Sequence, residues 1–76
     1  MAQGAVKWFH SALGCGAITP DDGSPVVLVD SEVVQAAGIS PPRKGDRLEY
    51  EPVRGASGRL WATNLQAAPG EARQRL

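Results

Sequence analysis

The chain has a single cysteine, Cys15, among its 76 residues, so no internal disulfide can form and a reducing compartment suits it. Neither sign of charge is in excess. Eight Lys plus Arg balance eight Asp plus Glu, for a formal net charge of zero and a pI of about 6.5. Net charge therefore supplies no generic grip on nucleic acid or an anionic membrane. No apolar run approaches the roughly 20 residues of a bilayer-spanning helix. The N-terminus, MAQGAVKWF, lacks the charged-then-apolar order of a secretory signal. A soluble cytoplasmic chain with no membrane partner is expected. One cysteine and one histidine are too few for a metal site, and no nucleophile–base–acid set stands out, so neither enzyme chemistry nor a cofactor is expected. Aromatic residues are 5% of the chain: Trp8, Phe9, Tyr50 and Trp61. With so few rings, the placement of each matters.

Glycine and proline are dense, and no long segment repeats every 3.6 residues. The length allows one domain, with the 42% hydrophobic content forming its core. The pattern predicts short strands over Gln3–His10, Gly14–Thr19, Val26–Asp30, Arg47 to about Glu51, and Arg59–Leu65. Pro20–Pro25 has turn composition, and RGASG connects the last two strands as a hairpin. Ser31 is read as the cap of a helical turn over Glu32–Ala37 that Gly38 ends. Pro52 cannot donate a ladder hydrogen bond and marks a strand end or an edge. A short all-β chain hides its strand edges best by closing. The expected architecture is thus a five-stranded antiparallel barrel of the oligonucleotide-binding (OB) type over residues 1–68, with a short tail at 69–76.

VKWF at 6–9, followed by GxGxITPDDG at 14–23, resembles the bacterial cold-shock domain. The match is gapless from Val6 to Gly23 and continues more weakly through VVLVD and KGDRLEYE to ATNL. The resemblance implies an OB barrel that binds single-stranded RNA or DNA on strands two and three, stacking bases on flat side chains while basic groups follow the backbone. Several platform positions have changed. Leu13 stands where the family has lysine, and Cys15 and Ala17 stand where it has phenylalanine. On strand three, Leu28, Asp30 and Ser31 replace phenylalanine, histidine and phenylalanine. Gly14, Gly16, Ile18, Val27 and Val29 keep the alternating core pattern, so the changes gather on the binding face. Each stacked base is worth roughly 1–3 kcal/mol. Losing three or four such contacts weakens binding by more than about 100-fold at ~1.4 kcal/mol per decade.

Lys7 and Trp8 match family positions that contact nucleic acid; otherwise Trp8 caps the barrel and Lys7 is a solvated strand residue. Phe9 reads as partly core or, alternatively, as a ring facing the nucleic acid, and His10 as a residue that stacks on or bonds a base, or does neither. Strict alternation places Trp61 with Thr63 and Leu65, which makes it core or rim. Alternatively, with Arg59 beside it, Trp61 replaces a lost platform ring. No charged neighbour in sequence activates Cys15, which reads as a small inert side chain. Two functions are open: a weak or altered binder of single-stranded nucleic acid, or a module whose apolar face (Leu13, Cys15, Ala17, Leu28) docks a protein or a second copy.

Overall fold

A computed structural model of the chain describes residues 1–68; the tail expected at 69–76 lies outside the described residues. Five strands and one helix follow in the order β1 (Ala2–His10), β2 (Cys15–Pro20), β3 (Val27–Asp30), α1 (Ser31–Ala37), β4 (Arg47–Arg54) and β5 (Leu60–Ala67). The strands close into a barrel with neighbours β1-β2-β3-β5-β4. All neighbouring pairs are antiparallel except β3–β5, which meet in parallel at Leu28 and Trp61. A closed ring with an odd number of strands cannot alternate direction throughout, so one parallel seam is unavoidable. The expected barrel forms, with that correction to its antiparallel description.

Glycine turns set the connections. Gly14 (φ 75°) ends the β1–β2 turn, Gly38 (φ 72°) caps the end of α1, and Gly58 (φ 85°) turns the β4–β5 hairpin. The helix begins one residue earlier than expected. Its N-cap is Asp30, whose carboxylate accepts the Glu32 amide at 3.1 Å, and Ser31 is its first residue. Strand β4 runs through Pro52 to Arg54 rather than stopping near Glu51. Pairing with β1 ends at Tyr50, so at residue 52 β4 has a neighbour on one side only. Proline is tolerated at such an edge.

The core comprises Val6, Ile18, Val27, Val29, Val34, Leu48, Tyr50, Ala62 and Leu65, with Phe9, Val33 and Leu60 packed against it. Helix α1 packs on β5 and β3 and contributes Val34. Tyr50 is fully buried at 0% exposure and lines a small cavity with Pro20, Asp22, Ser24 and Leu60. Arg47 forms a two-pronged ion pair with Asp21, tying β4 to the turn after β2.

Two bulges interrupt the alternation. On β1, Val6 pairs with Ile18 but Trp8 pairs with Ala17, which leaves Lys7 as an extra residue. On β5, Asn64 and Leu65 together face the single residue Tyr50, and Asn64 adopts φ 49°. Asn tolerates that left-handed conformation better than most residues. Because of this bulge Ala62 and Leu65 both point inward. The expectation that Trp61, Thr63 and Leu65 share a face is therefore corrected: Leu65 is core, and Trp61 lies outside the core cluster.

Candidate nucleic-acid interface

Outer positions of the five strands line up in sequence. Trp8 on β1 pairs with Ala17 on β2, Ala17 with Leu28 on β3, and Leu28 with Trp61 on β5; Trp61 in turn pairs with Val53 on β4. Leu28 lies between the core residues Val27 and Val29, Trp61 between Leu60 and Ala62, and Ala17 beside Ile18, while the Lys7 bulge supplies the phase change for Trp8. The row is therefore an outer-face row with an indole near each end. A second row runs beside it, His10–Cys15–Asp30. Trp8 and His10 share the outer face of β1, with ring centroids 5.3 Å apart and planes tilted by 37°.

Both bulges have consequences for the rings. Without Lys7 as an extra residue, alternation from Val6 would turn Trp8 inward and Phe9 outward. With it, Phe9 packs on the core, directly over Gly16, where an added Cβ would lie 2.5 Å from Phe9 Cδ1. Phe9 is thus removed from the outer face, and Gly16 is required by the close approach of that ring. At the other end, the Trp61 indole rests on the β4–β5 hairpin; a Cβ on Gly55 would come within 3.0 Å of Cδ1 and 3.1 Å of Nε1.

The altered motif positions divide by location. Leu13 is in the β1–β2 turn and 73% exposed. Cys15 is half-buried between His10 and Asp30. Ala17 faces outward yet is only 2% exposed and outside the core cluster, flanked by the larger Trp8 and Leu28. Asp30 has a structural task, since its carboxylate caps α1. Ser31 belongs to the helix rather than the strand, and its amide bonds the Gly14 carbonyl at 2.9 Å.

Basic groups lie beside the Trp row. Lys7 is exposed next to Trp8. Arg54 and Arg59 line a groove with Pro25, Val26, Leu28 and Leu60, and Arg54 Nη1 donates to the Gly58 carbonyl at 2.8 Å. Arg54, Val26 and Val53 were not singled out from sequence. Parity on β4 was the available signal for Val53: Leu48 and Tyr50 point inward, so residue 53 points outward. The outward positions of β4 beyond Val53 are acidic, Glu51 and Glu49. Glu51 accepts from the Asn64 amide at 2.7 Å, and Glu49 from Gln3 at 3.0 Å. Lys7, Arg54 and Arg59 thus lie beside the rings, and Glu51 and Glu49 past the edge of the row. Among the described residues no cluster of three or more His, Cys, Asp or Glu is placed to hold a metal, and no helix is long and apolar enough to cross a membrane.

Geometry alone defines the class: a small closed OB-type barrel with an aromatic-ended, partly basic sheet face. The chain is 46% identical over 68 residues to a probable cold shock protein, y4cH, of Sinorhizobium fredii, spanning 88% of this chain and 99% of the relative. It is 44% identical over 69 residues to the cold shock protein CspA of Rhizobium meliloti, spanning 90% and 100%. To the cold shock-like protein CspE of Escherichia coli it is 43% identical over 56 residues, spanning 74% and 81%. No family model matches the chain. The chain belongs to the cold shock protein family.

Proposed function

We propose that this protein is a non-enzymatic, cytoplasmic binder of single-stranded RNA or DNA, weaker than a relative with the full set of platform rings. The observation that carries this is the outer-face row Trp8–Ala17–Leu28–Trp61, flanked by Lys7, Arg54 and Arg59. Flat rings with neighbouring cations are the combination that holds unpaired strands, with stacking as the sequence-tolerant term and phosphate neutralisation as the salt-dependent one. The missing rings at Cys15 and Ala17 remove stacking from the middle of the face but leave its ends intact.

Titration with an oligothymidylate and with a mixed-sequence RNA, read by tryptophan fluorescence, tests the reading. Three phosphate contacts, by Lys7, Arg54 and Arg59, give a log–log salt slope of about −2 at roughly 0.7 per contact. Trp8→Ala is expected to weaken binding by about 5- to 150-fold, the equivalent of one stacked base. Absence of any fluorescence or chemical-shift change at high concentrations of both partners refutes it.

A second reading has its own observation. Val26 (39% exposed) beside Leu28, Val53 (48%) beside Trp61 and Leu13 (73%) in the β1–β2 turn add exposed apolar area. On this reading the face docks a protein or a second copy of the chain. A concentration-dependent rise in sedimentation coefficient, lost in Leu13→Ser, supports it; a monomer at all concentrations that captures only nucleic acid rules it out.

A further inference from the structure

We infer that a bound strand is held at two separated stacking anchors, the Trp8–His10 pair on β1 and Trp61 on β5, with the bases between them lying over an aliphatic floor that does not stack. The inference rests on the reading that this face takes single-stranded nucleic acid.

The register fixes the arrangement. Trp8 and Trp61 are the two indoles on a ladder of direct cross-strand partners, with Ala17 and Leu28 as the steps between them. Three strand crossings at about 4.8 Å each separate the two anchors by roughly 14 Å along the sheet. Stacked bases rise by only about 3.4 Å. Bases resting on the two indoles are thus not adjacent, and further nucleotides must span the interval. What they cross is smooth. Ala17 is 2% exposed, so no open slot receives an inserted base, and Leu28 presents a branched aliphatic surface.

Each anchor is built rather than incidental. The Lys7 bulge turns Trp8 outward beside His10, and the Gly55 backbone supports the Trp61 indole. Each also has cations at hand: the exposed Lys7 immediately precedes Trp8, and Arg54 and Arg59 line the groove that Leu28 shares, at the Trp61 end of the row. Phosphates on either side of the floor are therefore neutralised at the ends, and the middle is left to apolar contact.

The arrangement predicts that bases can be deleted from the middle of a ligand but not from its ends. Two thymidines joined by a run of abasic sugar-phosphate units provide the probe, with the number of units varied and binding followed by the anisotropy of a labelled strand. Affinity should pass through a maximum at an intermediate spacer number. At that maximum it should lie within about threefold of an all-thymidine strand of equal length, because the interior bases contribute no stacking. Trp61→Ala and Trp61→Leu should each weaken the best spacer ligand by about 5- to 150-fold and abolish the maximum, leucine keeping the bulk but not the flat ring. An all-thymidine strand that binds while affinity climbs steadily with each interior base restored overturns the two-anchor arrangement alone. So does a spacer maximum that persists in both Trp61 variants. An all-thymidine strand that does not bind overturns the nucleic-acid reading of the face and this inference with it.

Discussion

Replacing Ala17 by phenylalanine puts a ring at the centre of the row, between Trp8 and Leu28, and turns two separated stacking positions into a continuous surface. The energetic question is whether the ring fits and whether it then meets a base. In an enclosed core, a substitution of this kind costs about 1–3 kcal/mol through overpacking. Ala17 is 2% exposed between Trp8 and Leu28, so a benzyl group must push these outer-face neighbours aside to reach solvent. A stability loss of about 1–3 kcal/mol is therefore expected, which for a domain of this size lowers Tm by roughly 4–24 °C. Binding should gain one stacked base, roughly 1–3 kcal/mol. At ~1.4 kcal/mol per decade the affinity for an oligothymidylate rises about 5- to 150-fold. Thermal melting and fluorescence titration of the same preparation separate the two effects. Cys15→Phe provides the comparison, since it adds a ring in the second row, between His10 and Asp30. A folded Ala17→Phe protein with unchanged affinity would show that a bound strand does not pass over the Trp8–Trp61 row.

Three further outcomes test the structural side. Gly16→Ala should destabilise by at least about 1–3 kcal/mol, because the new Cβ would meet Phe9 Cδ1 at 2.5 Å and the Trp8 carbonyl oxygen at 2.7 Å; a melt unchanged within about 2 °C would mean that Phe9 is not seated over Gly16. Asn64→Ala should lose about 1–2 kcal/mol from the left-handed backbone position, plus its bond to Glu51, and Asn64→Gly should recover the backbone part; a glycine variant no more stable than the alanine one contradicts the bulge. Burial, reinforced by the nearby charges of Asp22 and then Asp21, raises the Tyr50 phenol above its ordinary value of 10.0. The unfolded chain then releases that proton at lower pH than the folded one, so stability falls as pH rises past about 10. In urea denaturation Tyr50→Phe should flatten that alkaline slope; at neutral pH it should leave stability nearly unchanged, because the buried hydroxyl has no bonding partner among the described residues. An identical alkaline slope in both proteins would place the titration elsewhere.

Much of the barrel is legible in the sequence because its signals are local. β-branched runs, a capped helical turn and glycine at positive φ each act within a few residues. Ile18, Val27 and Val29 occupy the core as simple alternation requires. What alternation cannot carry is phase. Once a bulge adds a residue, every side chain beyond it changes face, and nothing in Lys7 or Asn64 alone announces that an extra residue is there. Leu65 consequently shares the interior with Ala62, and Phe9 packs against the core, as expected from its sequence, only by way of the Lys7 bulge. The task of Asp30 was hidden for a different reason. A carboxylate at a position where the family carries a ring looks like a loss of binding, yet the helix that follows uses it as a cap.

These phase changes also explain how the motif could lose its rings while the barrel kept its shape. The core is carried by the inward residues of β2 and β3, whereas Cys15, Ala17 and Leu28 alternate with them on the outward side. Trp8 and Trp61 are placed differently. One is aimed by a bulge that also seats Phe9 in the core, and the other leans on the hairpin that joins β4 to β5. Trp8 is thereby tied to packing that the fold needs, whereas Cys15, Ala17 and Leu28 lie outside the core cluster. Relaxed selection on binding would therefore erode the middle of the face before the Trp8 end. It would not by itself supply an indole at Trp61 with two arginines on the adjoining groove. That combination favours a binding mode that has been redirected over one that is fading, and the spacer-length maximum separates the two.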